Sequence, residues 1–211
     1  MPAVGLLRCD CAPALARRQH RNRSDFSFIL CFIAVIFNIR YLPPKISNSK
    51  QLPYTMKDFF VKWYNYNAWA NDRVLTALQQ QRVEDEKILT LMNHILTAQF
   101  LWLNRIESLP PPEHKLWSTQ KISRLREMAT EAANRWNTFI ASHEKFSRQM
   151  TYHNYTGDLF TNDVEQIMIH VVNHGTYHRG QIAMRLRELG LEPVNTDYIT
   201  YERVLTGQLK P

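Results

Sequence analysis

The stretch "HVVNHGTYHRGQ", residues 170–181, places histidines at 170, 174 and 178. Read as a helix, the four-residue spacing stacks the three imidazoles on one face, one turn apart. His174 and His178 can then direct their rings at one point, and His170 extends the same row. All three cannot share one ion, because His170 and His178 stand two turns apart, about 12 Å along the axis. One neighbouring pair completed by a ligand from another helix is the workable geometry. The HxxxH spacing by itself fits equally well a metal site or a helix that happens to carry imidazoles.

The rest of the chain supplies the context. Working back from the histidines, the helix that carries them opens at Thr161 or Asn162, with Glu165 placed for a capping box, and runs to Leu189, where Gly190 ends it. Upstream, "FSRQMTYHNYTGDLFT" (146–161) alternates aromatics around a Thr-Gly-Asp turn and predicts a short hairpin. A helix with a Ser/Thr cap runs from near Ser118 to about His143. Before it, Ile88, Leu91, Ile95, Ala98, Trp102 and Ile106 form the stripe of a helix over about Glu84–Ser108, which "LPPPEH" stops. The first helix covers about Lys57–Gln81, with Phe60, Tyr64, Asn67, Asn71, Val74 and Leu78 on one face. The segment "LEPVNTDYITYERVLTGQ" is a tail expected to fold back. Four helices of this length predict an all-α fold, an antiparallel four-helix bundle with a short hairpin before the last long helix. In such a bundle, sites are built from inward side chains on facing helices.

His94 is the candidate third ligand. It lies in "MNHILTAQFLWLNRI", on the same face as Leu91, Ala98 and Trp102, and so points inward. An imidazole on an apolar face needs a partner, and the inward histidines of another helix can provide one. Asn67, Asn71 and Tyr64 either line a pocket or, for the two asparagines above all, bond helix to helix in the core. Arg179 is expected to pair with an acid or cap a loop. Trp63, Trp69, Trp102, Trp117 and Trp136 read as core or interface fillers.

Residues 1–55 differ from everything that follows. They carry eight Lys/Arg and two acids, a net charge of +6, whereas residues 56–211 are close to neutral at +1. The chain's +7 is therefore no basis for nucleic-acid binding by residues 56–211, which contain no basic run. Cys9, Cys11 and Cys31 all fall in the first 31 residues. Residues 56–211 can thus form no disulfide and hold no cysteine nucleophile. A basic stretch, "RRQHRNR", precedes an apolar run at 26–39 that is shorter than the roughly 20 residues of a spanning helix. No small-x-small cleavage site follows. This segment reads as an extension ahead of a natural start at Met56, where a clean helical pattern begins, or as a membrane-associating leader. The compartment is then cytoplasmic in the first case and membrane-associated in the second. No membrane contact is expected of residues 56–211.

The stretch "HVVNHGTYHRGQIAMRLRELG", with "YNYNAWAND" on the first helix, "MNHILTAQFLWLNRI" on the second and "PVNTDYITYERV" in the tail, resembles the DinB (YfiT-like) family over about residues 56–205. HxxxHRGQ is the specific element. The resemblance implies a four-helix bundle that binds one divalent ion through His94, His174 and His178, while His170 recurs in the family without being expected to bind the ion directly. It also implies a homodimer and a damage-inducible or stress-response setting. The chain departs from some members in carrying "TAQFLW" after His94, and in its long start. Distant members are similar to thiol S-transferases and a thiol-dependent isomerase. The leading expectation is therefore a metal-assisted transfer of a low-molecular-weight thiol to a small electrophile, the thiol coming from outside because residues 56–211 have no cysteine. Metal-dependent hydrolysis and a non-catalytic metal-binding role are the alternatives. The catalytic base is unassigned; Asp197 in the tail is the best distant carboxylate. Imidazole-only ligation permits zinc, nickel, copper, iron or manganese, with zinc and nickel favoured.

Overall fold

The computed structural model describes residues 54–154 and 156–210. The apolar run at 26–39, and with it the question of a leader or an extension, lies outside the described residues. The elements follow in the order α1 (Met56–Gln80), α2 (Glu86–Glu107), α3 (Ile122–Ala141), β1 (Gln149–His153), β2 (Leu159–Asp163), α4 (Val164–Glu188) and α5 (Tyr198–Leu205). The protein is thus mainly helical, with one small antiparallel sheet pairing β1 with β2. Among the described residues no helix is long and apolar enough to cross a membrane.

Each helix start has a local cause. Thr55 caps α1 reciprocally with Asp58, a capping box. Asp85 caps α2 by accepting from the Ile88 N–H at 3.0 Å. For α4 the box is formed by Asp163 and Gln166, not by Glu165. The helix begins later than Thr161 because residues 161–163 pair with 149–151 in the sheet. The third helix likewise starts at Ile122 and not at Ser118. The Ser118 hydroxyl instead donates to the Lys115 carbonyl at 3.1 Å, closing a turn in the α2–α3 connection. The tail contains a short helix, α5, for which the sequence showed only a returning segment. Between β1 and β2, Gly157 adopts φ +89°, a conformation open to glycine at little cost, and the Asn154 side chain accepts from the Thr156 and Asp158 amides.

The helices bury two apolar clusters. One gathers Phe60, Tyr64, Trp136, Phe146, Met168 and Val172. The other gathers Leu75, Leu78, Ile88, Met92, Leu125 and Ile182. Along α1 and α4 a polar stretch falls between them: Asn67 and Asn71 on α1, and His174, His178 and Arg179 on α4. α2 packs against α4, and α1 against both α3 and α4. The polar side chains of these helices therefore meet between two dry regions, and those that are buried call for partners inside the protein.

Candidate metal centre

Helix α4 presents His174 and His178 one turn apart, as the spacing requires, and α2 brings His94 to them. The Nε2 atom of His174 lies 3.1 Å from Nε2 of His94 and 3.1 Å from Nε2 of His178. All three candidate ligand atoms fall within 4.8 Å of one another. Three nitrogens bound to one ion at about 2.1 Å stand about 3.0 Å apart at right angles and about 3.4 Å apart at tetrahedral angles. The two short separations fall in that window. Without an ion, three ring nitrogens converge with only each other as partners, and one lone pair on His174 cannot satisfy two neighbours. These residues fit a divalent cation.

Burial prepares the rings for that task. Loss of hydration lowers the pKa of His94 to about 4, with the nearby His178 adding to the effect. The same cause, followed by His178, His94 and His170, lowers His174 to about 3. Both rings are neutral at pH 7, the form that ligates. The far side of His178 is fixed: its Nδ1 donates to Gln181 Oε1 at 2.7 Å. That bond selects the tautomer that leaves Nε2 free, the usual arrangement behind a metal-ligating imidazole. Gln181, the last residue of HxxxHRGQ, thus acquires a physical role. His94 Nδ1 is buried without a well-aligned hydrogen bond, and the Leu116 backbone stands against it.

Leu116 belongs to the α2–α3 connection, which Asn93 holds in place. The Asn93 amide donates to the carbonyls of Lys115 and Leu116 at 2.9 and 3.3 Å. The connection also carries Trp117, whose ring lies flat on His94, with centroids 3.7 Å apart and planes 12° from parallel. Trp117 is 62% exposed. It is not a core filler, in contrast to Trp136, which is buried; it covers one face of a candidate ligand. Its neighbours in sequence gave no periodic signal, since prolines and turns precede it.

Among the described residues Arg179 is likewise not paired with an acid. It is buried, and its guanidinium donates to Asn67 and Asn71 Oδ1 at 2.9 and 2.8 Å and to Thr176 Oγ1 at 2.9 Å. The two asparagines therefore bond helix to helix in the core and do not line a pocket at the histidines; Asn67 also donates to Gln99 Oε1 at 3.1 Å. Gly175 makes this possible, since a Cβ there would stand 2.9 Å from Arg179 Nη1 and 3.0 Å from Asn67 Oδ1. Tyr64 lies in the core and donates to the Met168 carbonyl at 3.2 Å.

His170 is outside the convergent set, although its ring centroid is 5.5 Å from that of His174. Asp197 sits at the start of α5 and lines a groove with Thr176 and Arg179, so it does not join the histidine cluster.

Residues 55–208 match the model of the DinB family. The protein named "Protein DinB" of Bacillus subtilis (strain 168) is 27% identical over 163 residues, covering 69% of this chain and 95% of that protein. "Uncharacterized protein YizA" of the same organism is 23% identical over 150 residues, covering 66% of this chain and 93% of that protein.

Proposed function

This chain belongs to the DinB family, and from that premise we propose that it is a metal-dependent thiol transferase acting on a small electrophile. Its long helices form an antiparallel four-helix bundle, and His94, His174 and His178 hold one divalent ion between them. The observation that carries this reading is the convergence of three Nε2 atoms from two helices, those of His94 and His178 each 3.1 Å from that of His174. Zinc and nickel suit the all-imidazole set best, while iron and manganese are compatible.

An ion with three protein ligands keeps a position for an outside molecule, the pattern of a catalytic rather than a structural site, and its charge favours the ionised form of a thiol at neutral pH. The protein's part is to hold that arrangement. Burial keeps His94 and His174 neutral, Gln181 fixes the His178 tautomer, and Trp117 shields the outer face of His94. In the transfer, sulfur forms its bond to the electrophilic carbon as the leaving group departs with its bonding pair, and the thiol proton passes to solvent. Because the cluster contains no carboxylate among the described residues, transfer of a nucleophile that needs no general base is favoured over hydrolysis.

Metal analysis of the purified full-length protein should return about one divalent ion per chain. Conjugation of a low-molecular-weight thiol to a chromogenic electrophile should require that ion and stop on chelation. A metal-free protein that stays metal-free when offered zinc or nickel would end this reading. A loaded protein inert towards thiols and electrophiles would leave only the binding role.

A further inference from the structure

We propose that the recess lined by Trp102, Tyr152, Asn162, Gln166, Ile167 and His170 binds a small planar molecule that carries a hydrogen-bond acceptor. The recess holds about 220 Å³, roughly seven water molecules at liquid density. It adjoins the histidine cluster through His170, whose ring centroid lies 5.5 Å from that of His174 with the planes tilted at 44°. The assignment of its occupant as the electrophile of the thiol reaction rests on the function proposed above; the recess itself does not.

Three rings shape the walls. Tyr152 and His170 meet Trp102 edge-to-face, at 85° and 76°, with centroids 5.0 and 5.6 Å away. The Arg105 guanidinium lies 4.8 Å from the Trp102 centroid and 5.1 Å from that of Tyr152, and donates to the His153 carbonyl at 3.1 Å. Its cation–π attraction holds both rings. A flat π-surface is the shape that such walls receive.

The polar lining is one-sided. Tyr152 donates its hydroxyl to Asn162 Oδ1 at 3.0 Å. Asn162 Nδ2 donates to Gln166 Oε1 at 3.2 Å, and the same oxygen accepts from the Asp163 amide at 3.2 Å. Both amide oxygens are thus engaged. Gln166 Nε2 is left as a donor without a partner among the described residues, and no carboxylate lines the recess. The His170 ring and the Tyr152 hydroxyl can accept as well as donate, but with an amide donor open and no carboxylate to pair with a cation the lining favours a carbonyl or carboxylate over an ammonium.

Benzoate and benzylamine, equal in shape and opposite in polarity, test this on the full-length protein by ligand-observed NMR. Benzoate should bind the metal-free protein at millimolar concentration and benzylamine should not. Gln166→Glu retains the oxygen that caps α4 but removes the donor, and should weaken benzoate by about tenfold or more. Trp102→Leu, which leaves the cap untouched, should do the same, with thermal melts checking that each variant is folded. In cobalt-loaded protein, bound benzoate should show paramagnetic broadening that zinc-loaded protein lacks. Equal binding of the two probes overturns the proposal, as does benzoate binding unchanged in the two variants. Binding seen only with metal and lost in His174→Ala also overturns it, because the carboxylate would then be coordinating the ion. If the protein takes up no metal yet binds benzoate in a Gln166-dependent way, the recess stands and the metal reading falls.

Discussion

At the scale of single residues, the three convergent imidazoles make unequal demands on their neighbours. Replacing His94, His174 or His178 by Ala should each cut metal occupancy sharply. His170→Ala should do less, since it touches the cluster only through His174. His114 and His143 bond elsewhere, to Arg124 and to the Phe139 carbonyl, so their Ala variants should retain full occupancy in metal analysis. Gln181→Leu should weaken metal binding by about 10- to 100-fold, the usual cost of losing the partner that fixes a ligand's tautomer. The neutral rings also dictate a pH dependence for the metal-free protein. His94 and His174 titrate at about 4 and about 3 when folded, against about 6.5 when unfolded. Below pH 6.5 the unfolded chain binds protons that the folded one refuses, so stability is full above that pH and falls as pH drops towards 3. Urea melts of the metal-free protein at pH 7, 5.5 and 4.5 should show midpoints that decline in that order, and less steeply for His174→Ala.

At the scale of elements, Asp85 ties the start of α2 to α4. It accepts from the Ile88 amide and, at 2.8 Å, from Arg185 Nη2, and Arg185 holds its carboxyl below the ordinary range. Asp85→Ala loses both interactions. About 1 kcal/mol goes with the cap and up to about 1 kcal/mol with the part-exposed ion pair, a fall in melting temperature of about 2–8 °C for a domain of this size. Asp85→Asn, which keeps a capping oxygen, should lose less. Element types and the hairpin were readable because hydrophobic period and turn residues are local properties. Boundaries were less so. Nothing near Thr161 announces that residues 161–163 pair across a sheet before the helix starts, and the Ser118 hydroxyl could as well have capped a helix as closed a turn.

At the scale of the whole molecule, α1 depends on Thr55, and the family match also begins there. A protein begun at Tyr54 should fold and bind metal as the full-length chain does, by circular dichroism and metal analysis. One begun at Met56 should also fold but lose about 1 kcal/mol with the capping box. Failure of the Tyr54 protein to fold would show that residues 1–53 are needed. With a net charge of +1 over residues 56–211, the same shortened protein should form no tight, salt-dependent complex with duplex DNA in a gel-shift assay.

The sequence alone determined the helices, the hairpin and the candidate ligands on α4. Spacing along one helix depends only on its period, so His174 and His178 are neighbours wherever α4 packs. The choice of His94 was legible only as an inward imidazole and through a family resemblance. Whether its Nε2 could meet the other two depended on how α2 lies against α4, a property of packing between helices that no local pattern encodes. The same limit applies to Trp117 and Arg179. One sits in a connection whose path is set by Asn93, and the other finds three neutral oxygens on two helices in place of the acid its charge suggested. Contacts of this kind join residues far apart in the chain. Tertiary structure decides them, because the energy that selects them appears only when the helices are already side by side.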